Sequence, residues 1–214
     1  MHPSDSPVKS RRPYDATARQ EQARARRAAA LDAAERLFLS GGYLATSPEE
    51  IAAAADVSVA TVYKTYGGKS GLLRALCERA LQGAGPVPAE DRSDSLRATS
   101  SARTLIEGWG RLQLEVAPRV APLLVVLAEA AYRDPGAASL RAEIEDRRLA
   151  RMGENAAALL RLDGVRGDLT QDEARDVLWL ATAPELYDLL VVRRGWSVSR
   201  YGQHVTRMLV ASLL

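Results

Sequence analysis

The 214-residue sequence predicts an all-α fold, on the strength of three observations. Apolar residues recur at spacings of three and four along most of the chain, as they do on the buried face of a helix. No stretch alternates between apolar and polar residues over more than about four positions, so no strand is expected. Capping residues, glycines and prolines divide the apolar segments into about nine helices.

The first two helices have clear boundary signals. Residues 22–40 place their apolar side chains on one stripe, and the pair Gly41–Gly42 ends that helix. The second helix begins in the stretch TSPEEIAAAA, where Thr46 or Ser47 can cap the helix and Pro48 suits its first position. Two glutamates follow the proline and complement the helix dipole.

Two further helices follow after tight turns. Ser58 can cap a third helix that runs to about Tyr66, and Gly67–Gly68 separates it from a fourth helix at residues 69–82. Only about three residues join the second helix to the third, and two short helices joined in this way form a helix-turn-helix. The apolar side chains of both helices face inward, toward Phe38 of the first helix.

The helix-turn-helix leaves polar side chains facing outward that suit contact with DNA. Hydroxyl, phenol and ammonium groups bind phosphate oxygens, and short side chains at a helix N-terminus can approach base edges in the major groove. The expected base-side contacts are Val59, Ala60, Thr61 and Lys64. The expected phosphate contacts are Thr46, Ser47, Tyr63, Thr65 and Lys69, with Ser58 and Arg24 as further candidates. Helix-turn-helix patterns also occur in domains that bind no DNA, so the pattern alone leaves that alternative open.

Charge and composition bound the classes of function. Residues 1–80 hold 12 Lys and Arg against 9 Asp and Glu, so the basic excess lies in the part of the chain where nucleic acid would bind. A single cysteine, Cys77, excludes an internal disulfide and a thiolate cluster for a metal. No apolar run approaches the roughly 20 residues of a membrane span, and the N-terminus lacks the features of a signal peptide. A cytoplasmic protein with no cofactor and no metal is expected.

The best domain boundary is the Pro- and Gly-rich stretch GAGPVPAEDRSD. We expect a flexible basic arm at residues 1–20, a helix-turn-helix domain with its connecting helix at 21–82, a linker at 83–95 and a second helical domain at 96–214. The helices expected in the second domain cover residues 96–116, 121–133, 137–161, 170–194 and 199–213. Pro184 should kink or break the helix that contains it.

The stretch AAERLFLSGGYLATSPEEIAAAADVSVATVYKTYGGKSGLLRAL, residues 33–76, resembles the DNA-binding domain of the TetR/AcrR family of bacterial transcriptional regulators. The matching positions are Ala34, Phe38, Gly42, Tyr43, Thr46, Ser47, Ile51, Ala52, Ala55, Val57, Ser58, Tyr63, Tyr66, Lys69, Leu72 and Leu73. Asp56 stands where the family usually has glycine, and Tyr66 replaces the usual phenylalanine. The resemblance implies a sequence-specific DNA-binding regulator, by family habit a repressor, whose C-terminal domain dimerises and often holds a small-molecule pocket.

The last two helices support dimerisation independently, because their apolar faces are wide enough to pair with a second copy in a four-helix bundle. The expected interface residues are Leu186, Leu190, Tyr201, Val205, Met208, Leu209 and Leu213. The alternative is that both helices belong to the core of the monomer.

The ligand pocket that the resemblance implies is expected among aromatic and polar residues of the second domain. The candidates are Trp109, Leu112, Gln113, Tyr132, Met152, Trp179 and Tyr187. Each of them also suits an ordinary core. Because few polar groups stand among the aliphatic ones, an apolar or aromatic effector is expected.

Two other classes of function fit the sequence less well. An enzyme would need a catalytic or phosphate-binding motif; His204 stands alone, and the stretch EIEDRRLAR has the spacing of an exposed, ion-paired helix face. A helical adaptor that has lost DNA binding would lack polar groups on its third helix, whereas Thr61 and Lys64 are retained. The sequence therefore predicts a homodimeric, ligand-released repressor. Its two recognition helices would lie about 34 Å apart in successive major grooves of a pseudo-palindromic operator.

Overall fold

The computed structural model describes residues 14–83, 85–98 and 101–214, and within these ranges it contains ten helices and no strand. The helices are α1 (Tyr14–Gly41), α2 (Pro48–Ala54), α3 (Val59–Tyr66), α4 (Lys69–Gln82), α5 (Ala89–Leu96), α6 (Ala102–Ala130), α7 (Pro135–Leu159), α8 (Gln171–Ala181), α9 (Pro184–Tyr187) and α10 (Val198–Leu213). The predicted all-α fold is confirmed. None of the described helices is both long enough and apolar enough to cross a membrane.

Helices α1 to α4 form the N-terminal domain around a small buried core. Phe38 of α1, Ile51 of α2 and Val62 of α3 are fully buried against one another, and Leu72 and Leu73 of α4 close the core. The predicted start of α2 is confirmed by a complete capping box. The Ser47 hydroxyl accepts a hydrogen bond from the backbone N–H of Glu50, and the Glu50 carboxylate accepts one from the backbone N–H of Ser47.

Helix α1 begins earlier than the sequence analysis placed it. It starts at Tyr14 rather than near residue 22, so residues 14–20, which were assigned to a flexible arm, are helical. The apolar stripe that predicts the helix begins only where the helix meets the core, because residues 17–28 are all exposed. Residues 1–13 of the expected arm lie outside the described part of the chain.

The expected linker at residues 83–95 also contains a helix, α5. Its first residue, Ala89, is buried, and two acidic residues occupy its first turn, where they complement the helix dipole. Arg92 of α5 makes two hydrogen bonds, of 2.7 and 2.8 Å, to the carboxylate of Glu115 in α6. The Pro and Gly residues of the linker therefore mark only the turn before α5, not an extended connection.

Helix α6 is continuous where two helices were expected. Pro118 and Pro122 lie inside it, although each removes a backbone hydrogen bond at a cost of about 3 kcal/mol. Ala117, Ala121 and Leu124, which alternate with these prolines, are buried, and this burial on neighbouring helices offsets the lost hydrogen bonds. A proline therefore did not mark a helix end here.

Pro184 interrupts the helix predicted at residues 170–194, as expected. Helix α8 ends before Thr182, and Pro184 occupies the first position of the short α9. The chain continues directly into a π-helical turn at Asp188–Arg193, where Arg193 Nε donates to Asp188 Oδ2 at 2.6 Å. That ion pair joins residues five positions apart, which is the spacing of a π-helical turn.

Helices α5 to α10, called the body below, have a core of their own, and the apolar face of α10 lies inside it. Tyr201, Val205, Leu209 and Leu213 are each no more than 2% exposed, packed between α6 and α8. These four residues were expected at a dimer interface, and we correct that expectation, because the periodic stripe is buried by helices of the same chain. Leu186, Leu190 and Met208 are partly buried against the same core.

Helix α4 joins the two parts of the molecule. The core around Phe38 also contains Leu123 and Leu127 of α6 and Leu140 of α7. Arg74 of α4 makes a bidentate ion pair with Glu143 of α7. The N-terminal domain is therefore packed directly on the body.

Substitution of glycine by alanine should have opposite effects at two helical positions. A Cβ atom at Gly71 would lie 1.6 Å from the carbonyl oxygen of Tyr66, whereas one at Gly153 would meet nothing closer than 3.8 Å. We expect Gly71→Ala to lower the free energy of unfolding by more than about 2 kcal/mol. We expect Gly153→Ala in α7 to raise it by about 0.5–1 kcal/mol. Urea unfolding followed by circular dichroism measures both, and an unchanged Gly71→Ala midpoint would contradict the close approach.

Candidate nucleic-acid interface and ligand cavity

The turn between α2 and α3 has a defined geometry. Asp56 adopts a left-handed conformation with φ of 52°, which glycine adopts at least cost and which aspartate tolerates better than most residues. Val57 then packs on the N-terminal core, and Ser58 caps α3 by accepting from the backbone N–H of Thr61 at 3.1 Å. This turn fixes the direction in which α3 leaves the domain.

Helix α3 buries Val62 and presents most of its polar side chains to solvent. Tyr63 and Lys64 are exposed, as are Ser58 and Ala60 at the helix start, whereas Thr65 is half-buried. The hydroxyls of Ser58 and Thr61 are 2.8 Å apart and hydrogen-bonded to each other. These residues were all predicted to contact DNA, and each of them is at least partly accessible.

Two of the predicted contact residues point elsewhere. Thr46 is buried, and its hydroxyl donates to the carbonyl of Gly42 at 2.9 Å, so it fastens the loop after α1 instead of facing a phosphate. Val59 is half-buried and packs on the N-terminal core. Ser47 remains partly exposed, but its hydroxyl is used in the capping box of α2. Spacing alone did not distinguish a structural hydroxyl from a free one.

Lys69 makes a structural contact with Tyr43 and also carries a positive charge. Its Nζ donates to the carbonyl of Tyr43 at 2.9 Å and lies 4.4 Å from the centre of the Tyr43 ring. Burial is the main reason why the pKa of the Tyr43 hydroxyl lies well above its usual value. An ammonium has three donors, so the contact with Tyr43 leaves two of them for a phosphate.

A pair of arginines lies beside α3 that the sequence did not predict as DNA contacts. Arg26 and Arg27 of α1 line a groove with Thr61, Lys64 and Thr65 of α3. The hydroxyl of Tyr66 donates to the carbonyl of Arg27 at 2.9 Å, which holds α1 against the end of α3. The predicted Arg24 lies on the same exposed part of α1, outside this groove. The density of arginines in α1 was the available signal, but it does not say which of them face α3.

The body contains a cavity of about 320 Å³ between α4, α5, α6, α7, α8, α9 and α10. The predicted pocket residues that line it are Trp109, Leu112, Gln113, Met152 and Tyr187. Tyr132 does not line it, because it lies at the end of α6 and is 83% exposed. Trp179 does not line it either; the centre of its ring lies 4.5 Å from the guanidinium carbon of Arg148.

The polar wall of the cavity comes from α7 and was missed. Arg147, Arg148 and Arg151 line the cavity together with Asn155, which is buried and accepts a hydrogen bond from Arg97. Arg148 is held by Glu145 at 2.9 Å and by the carbonyl of Trp179 at 2.7 Å. The stretch EIEDRRLAR was expected to be an exposed, ion-paired face. Within the stretch only Glu145 and Arg148 form an ion pair, three positions apart. Its arginines also line the cavity, which their spacing could not indicate.

Two tyrosines and a cysteine add neutral groups to the lining. Burial raises the pKa of Tyr201 to about 12 and that of Cys77 to about 12, and it also raises the pKa of Tyr187. The three groups are therefore protonated near neutral pH, and both phenols can donate hydrogen bonds. Cys77 and Leu81 belong to α4, so the cavity extends to the helix that carries the N-terminal domain.

A helix-turn-helix domain packed on a helical body with an internal cavity defines a class of two-domain DNA-binding proteins. Residues 30–76 match the family model described as bacterial regulatory proteins, tetR family. Over 64 residues the chain is 38% identical to the uncharacterized HTH-type transcriptional regulator YvkB of Bacillus subtilis, a match that covers 30% of this chain and 34% of that protein. The N-terminal domain of this chain is therefore similar to the DNA-binding domain of the tetR family.

Solved structures extend the likeness of the fold to the whole chain. NalD, the secondary repressor of the MexAB-OprM multidrug efflux pump in Pseudomonas aeruginosa, has a TM-score of 0.69 at 21% identity, over 90% of this chain and 98% of that one. The SmeT–triclosan complex has a TM-score of 0.70 at 20% identity, over 89% of this chain and 92% of that one. At this identity the likeness establishes that the body has the same fold.

The left-handed turn residue predicts a stabilising substitution. We expect Asp56→Gly to raise the free energy of unfolding by about 0.5–1 kcal/mol, because glycine removes the strain of the left-handed conformation at some cost in chain entropy. The matched control is Ala53→Gly, an exposed helical position close by, which should lower it by about 1 kcal/mol. Thermal and urea unfolding give both values, and a loss of stability for Asp56→Gly would show that the carboxylate itself holds the turn.

Proposed function

We propose that this protein is a sequence-specific transcriptional regulator that binds a pseudo-palindromic DNA operator as a homodimer and is released by a small molecule. The observation that carries the proposal is the exposed polar face of α3, with Lys64 beside the two arginines of α1 in one groove. A helix with such a face fits the major groove, and flanking cations neutralise phosphates. The protein would act in the cytoplasm, where bacterial DNA lies. An adaptor without DNA binding has no use for this face.

The proposed DNA contacts fall into two groups, those to the bases and those to the phosphates. Ala60, Thr61 and Lys64 are the proposed base-side contacts, since Ala60 and Lys64 are exposed and Thr61 is half-exposed. The proposed phosphate contacts are Arg24, Arg26, Arg27, Ser47, Ser58, Tyr63, Thr65 and Lys69. The first turn of α4 supports this assignment, because its N-cap residue Gly68 provides no side-chain cap and leaves backbone N–H groups for an anion.

Release by a ligand would act through α4. Cys77 and Leu81 of this helix line the cavity, and its first turn, with Lys69, lies in the N-terminal domain. A ligand that fills the cavity better in one position of α4 shifts the population toward that position, and the separation of the two α3 helices in the dimer changes with it. Neighbours with this fold include one solved with triclosan, which supports a ligand role for the cavity.

The dimer would use a different set of residues from those named by the sequence pattern. Leu180, Leu189 and Val192 are 60%, 51% and 63% exposed, an unusual state for large apolar side chains so close in sequence. They lie on α8 and on the π-helical turn that follows α9. A symmetric contact between these segments of two copies would bury them.

DNA binding can be tested by fluorescence anisotropy with a labelled duplex from upstream of the protein's own gene, with random duplex as competitor. Lys64→Ala should lower the preference for the specific duplex by roughly 10- to 100-fold, as expected for loss of a base contact worth about 1–3 kcal/mol. Arg26→Gln should instead weaken binding to all sequences and reduce the salt slope by about one per subunit.

The matched control for both variants is Arg161→Gln, an exposed arginine in the loop after α7. It should change neither affinity nor salt slope. If the wild-type protein bound no DNA at low salt, the adaptor function would replace the proposed one.

The dimer surface makes a separate prediction. Leu189→Glu and Val192→Glu should convert a dimer into a monomer at micromolar concentration, because a buried carboxylate without a partner costs several kcal/mol. Multi-angle light scattering gives the mass directly. Leu149→Glu, at a partly exposed leucine of α7, is the control and should leave the dimer intact. A dimer that survives both substitutions would place the interface elsewhere.

A further inference from the structure

We infer that the effector of the cavity is an organic acid with an apolar body and a single carboxylate, and this inference rests on the proposed function. The cavity has two unlike sides. Its floor is apolar, formed mainly by α6 and completed by residues such as Met152, Leu178 and Leu209. Its polar edge is formed by arginines of α7. A molecule that fits both sides has an apolar part and a part that accepts hydrogen bonds or carries negative charge.

The cavity has an excess of donors. The buried side-chain atoms that lack a hydrogen-bond partner within the described residues are all N–H groups, and two of them belong to the cavity-lining residues Trp109 and Arg148. Trp109 is only 7% exposed. The hydroxyls of Tyr187 and Tyr201 also make no hydrogen bond with a described residue. Because the unpaired buried groups of the lining are donors, a ligand that supplies an acceptor would complete them.

The charge on the edge points to an anion and to one residue in particular. Arg148 and Arg151 are each neutralised within the protein, by Glu145 at 2.9 Å and by Asp94 at 2.8 Å. Arg147 makes no hydrogen bond or ion pair with a described residue, and its charge interacts with Glu143 and Cys77 only at longer range. Its neighbour Glu143 uses both carboxylate oxygens for Arg74, which is the main reason why the pKa of Glu143 is lowered.

Arg147 is exposed yet lines the cavity, so its guanidinium lies where the cavity opens. The acidic residue of the lining, Glu90, is exposed on α5 and would exclude a second negative charge from that side. One carboxylate would pair with Arg147, and an aromatic or aliphatic body would lie between α6 and α10. At about 320 Å³ the cavity has room for one such small molecule.

The test compares the binding affinity of an organic acid with that of its uncharged primary amide. Isothermal titration calorimetry would measure binding of 2-naphthoate, 4-phenylbutyrate and decanoate, each beside its primary amide, to the full-length protein. At least one acid should bind about tenfold or more tightly than its amide, the preference expected for a charge-assisted contact. Arg147→Gln should remove that preference, so that the acid binds no more tightly than its amide. Arg119→Gln, an exposed arginine of α6 outside the cavity, is the control and should keep it.

Equal binding of acid and amide, absence of binding by all six compounds below 1 mM (on the order of the weakest useful affinity), or a preference that survives Arg147→Gln would each overturn the inference. The operator anisotropy assay is run on the same preparations. A protein that binds DNA but fails the acid test loses only this inference, whereas a protein that binds acids and no DNA loses the proposed function. Release of DNA by the preferred acid, absent with its amide, would join the two.

Discussion

The contact on which the rest of the structure depends is the packing of α4 between the helix-turn-helix and the body. Leu72, Leu73 and Leu76 of α4 are fully buried in a core that takes residues from α1 to α3 on one side and from α6 and α7 on the other. Such a core couples the two parts energetically, because displacing α4 would open apolar surface on both sides. The ion pair between Arg74 and Glu143 helps to orient α4 on α7. It adds little to the free energy of unfolding, because both partners are partly exposed.

How much of this the sequence predicts depends on whether the signal is local. Caps and turn residues are local, so the capping box at Ser47, the cap at Ser58, the interruption at Pro184 and the left-handed turn at Asp56 are all found where the residue types require them. Periodicity also finds which face of a helix is buried. Periodicity cannot say which element buries that face. The stripe on α10 suggested a second copy of the chain, but α6 and α8 of the same chain bury it.

The candidate sites follow the same division. The exposed face of α3 could be predicted because its residues are consecutive and the turn before it fixes its orientation. Thr46 and the arginines of α7 could not. The hydroxyl of Thr46 is consumed by the carbonyl of Gly42, and Arg148 reaches inward to the carbonyl of Trp179, a partner 31 positions away. Contacts of this kind exist only after the helices have packed. A long arginine side chain can direct its charge to solvent or to the interior, and the sequence pattern is the same in both cases.

Helix α6 shows how the fold can place a cavity between two cores without separating them. Its C-terminal part contributes Leu123 and Leu127 to the core around α4, and its N-terminal part contributes Leu105 and Trp109 to the core of the body. The segment between these parts lines the cavity and contains Pro118 and Pro122, so it is also the segment in which the backbone of α6 lacks hydrogen bonds. A ligand at this point touches the stretch of helix that resists deformation least and, through Cys77, the helix that carries the DNA-binding surface. The two prolines would only weaken a helix that had to be rigid. In α6 they lie between two ends that belong to different cores, where a more deformable backbone is an advantage.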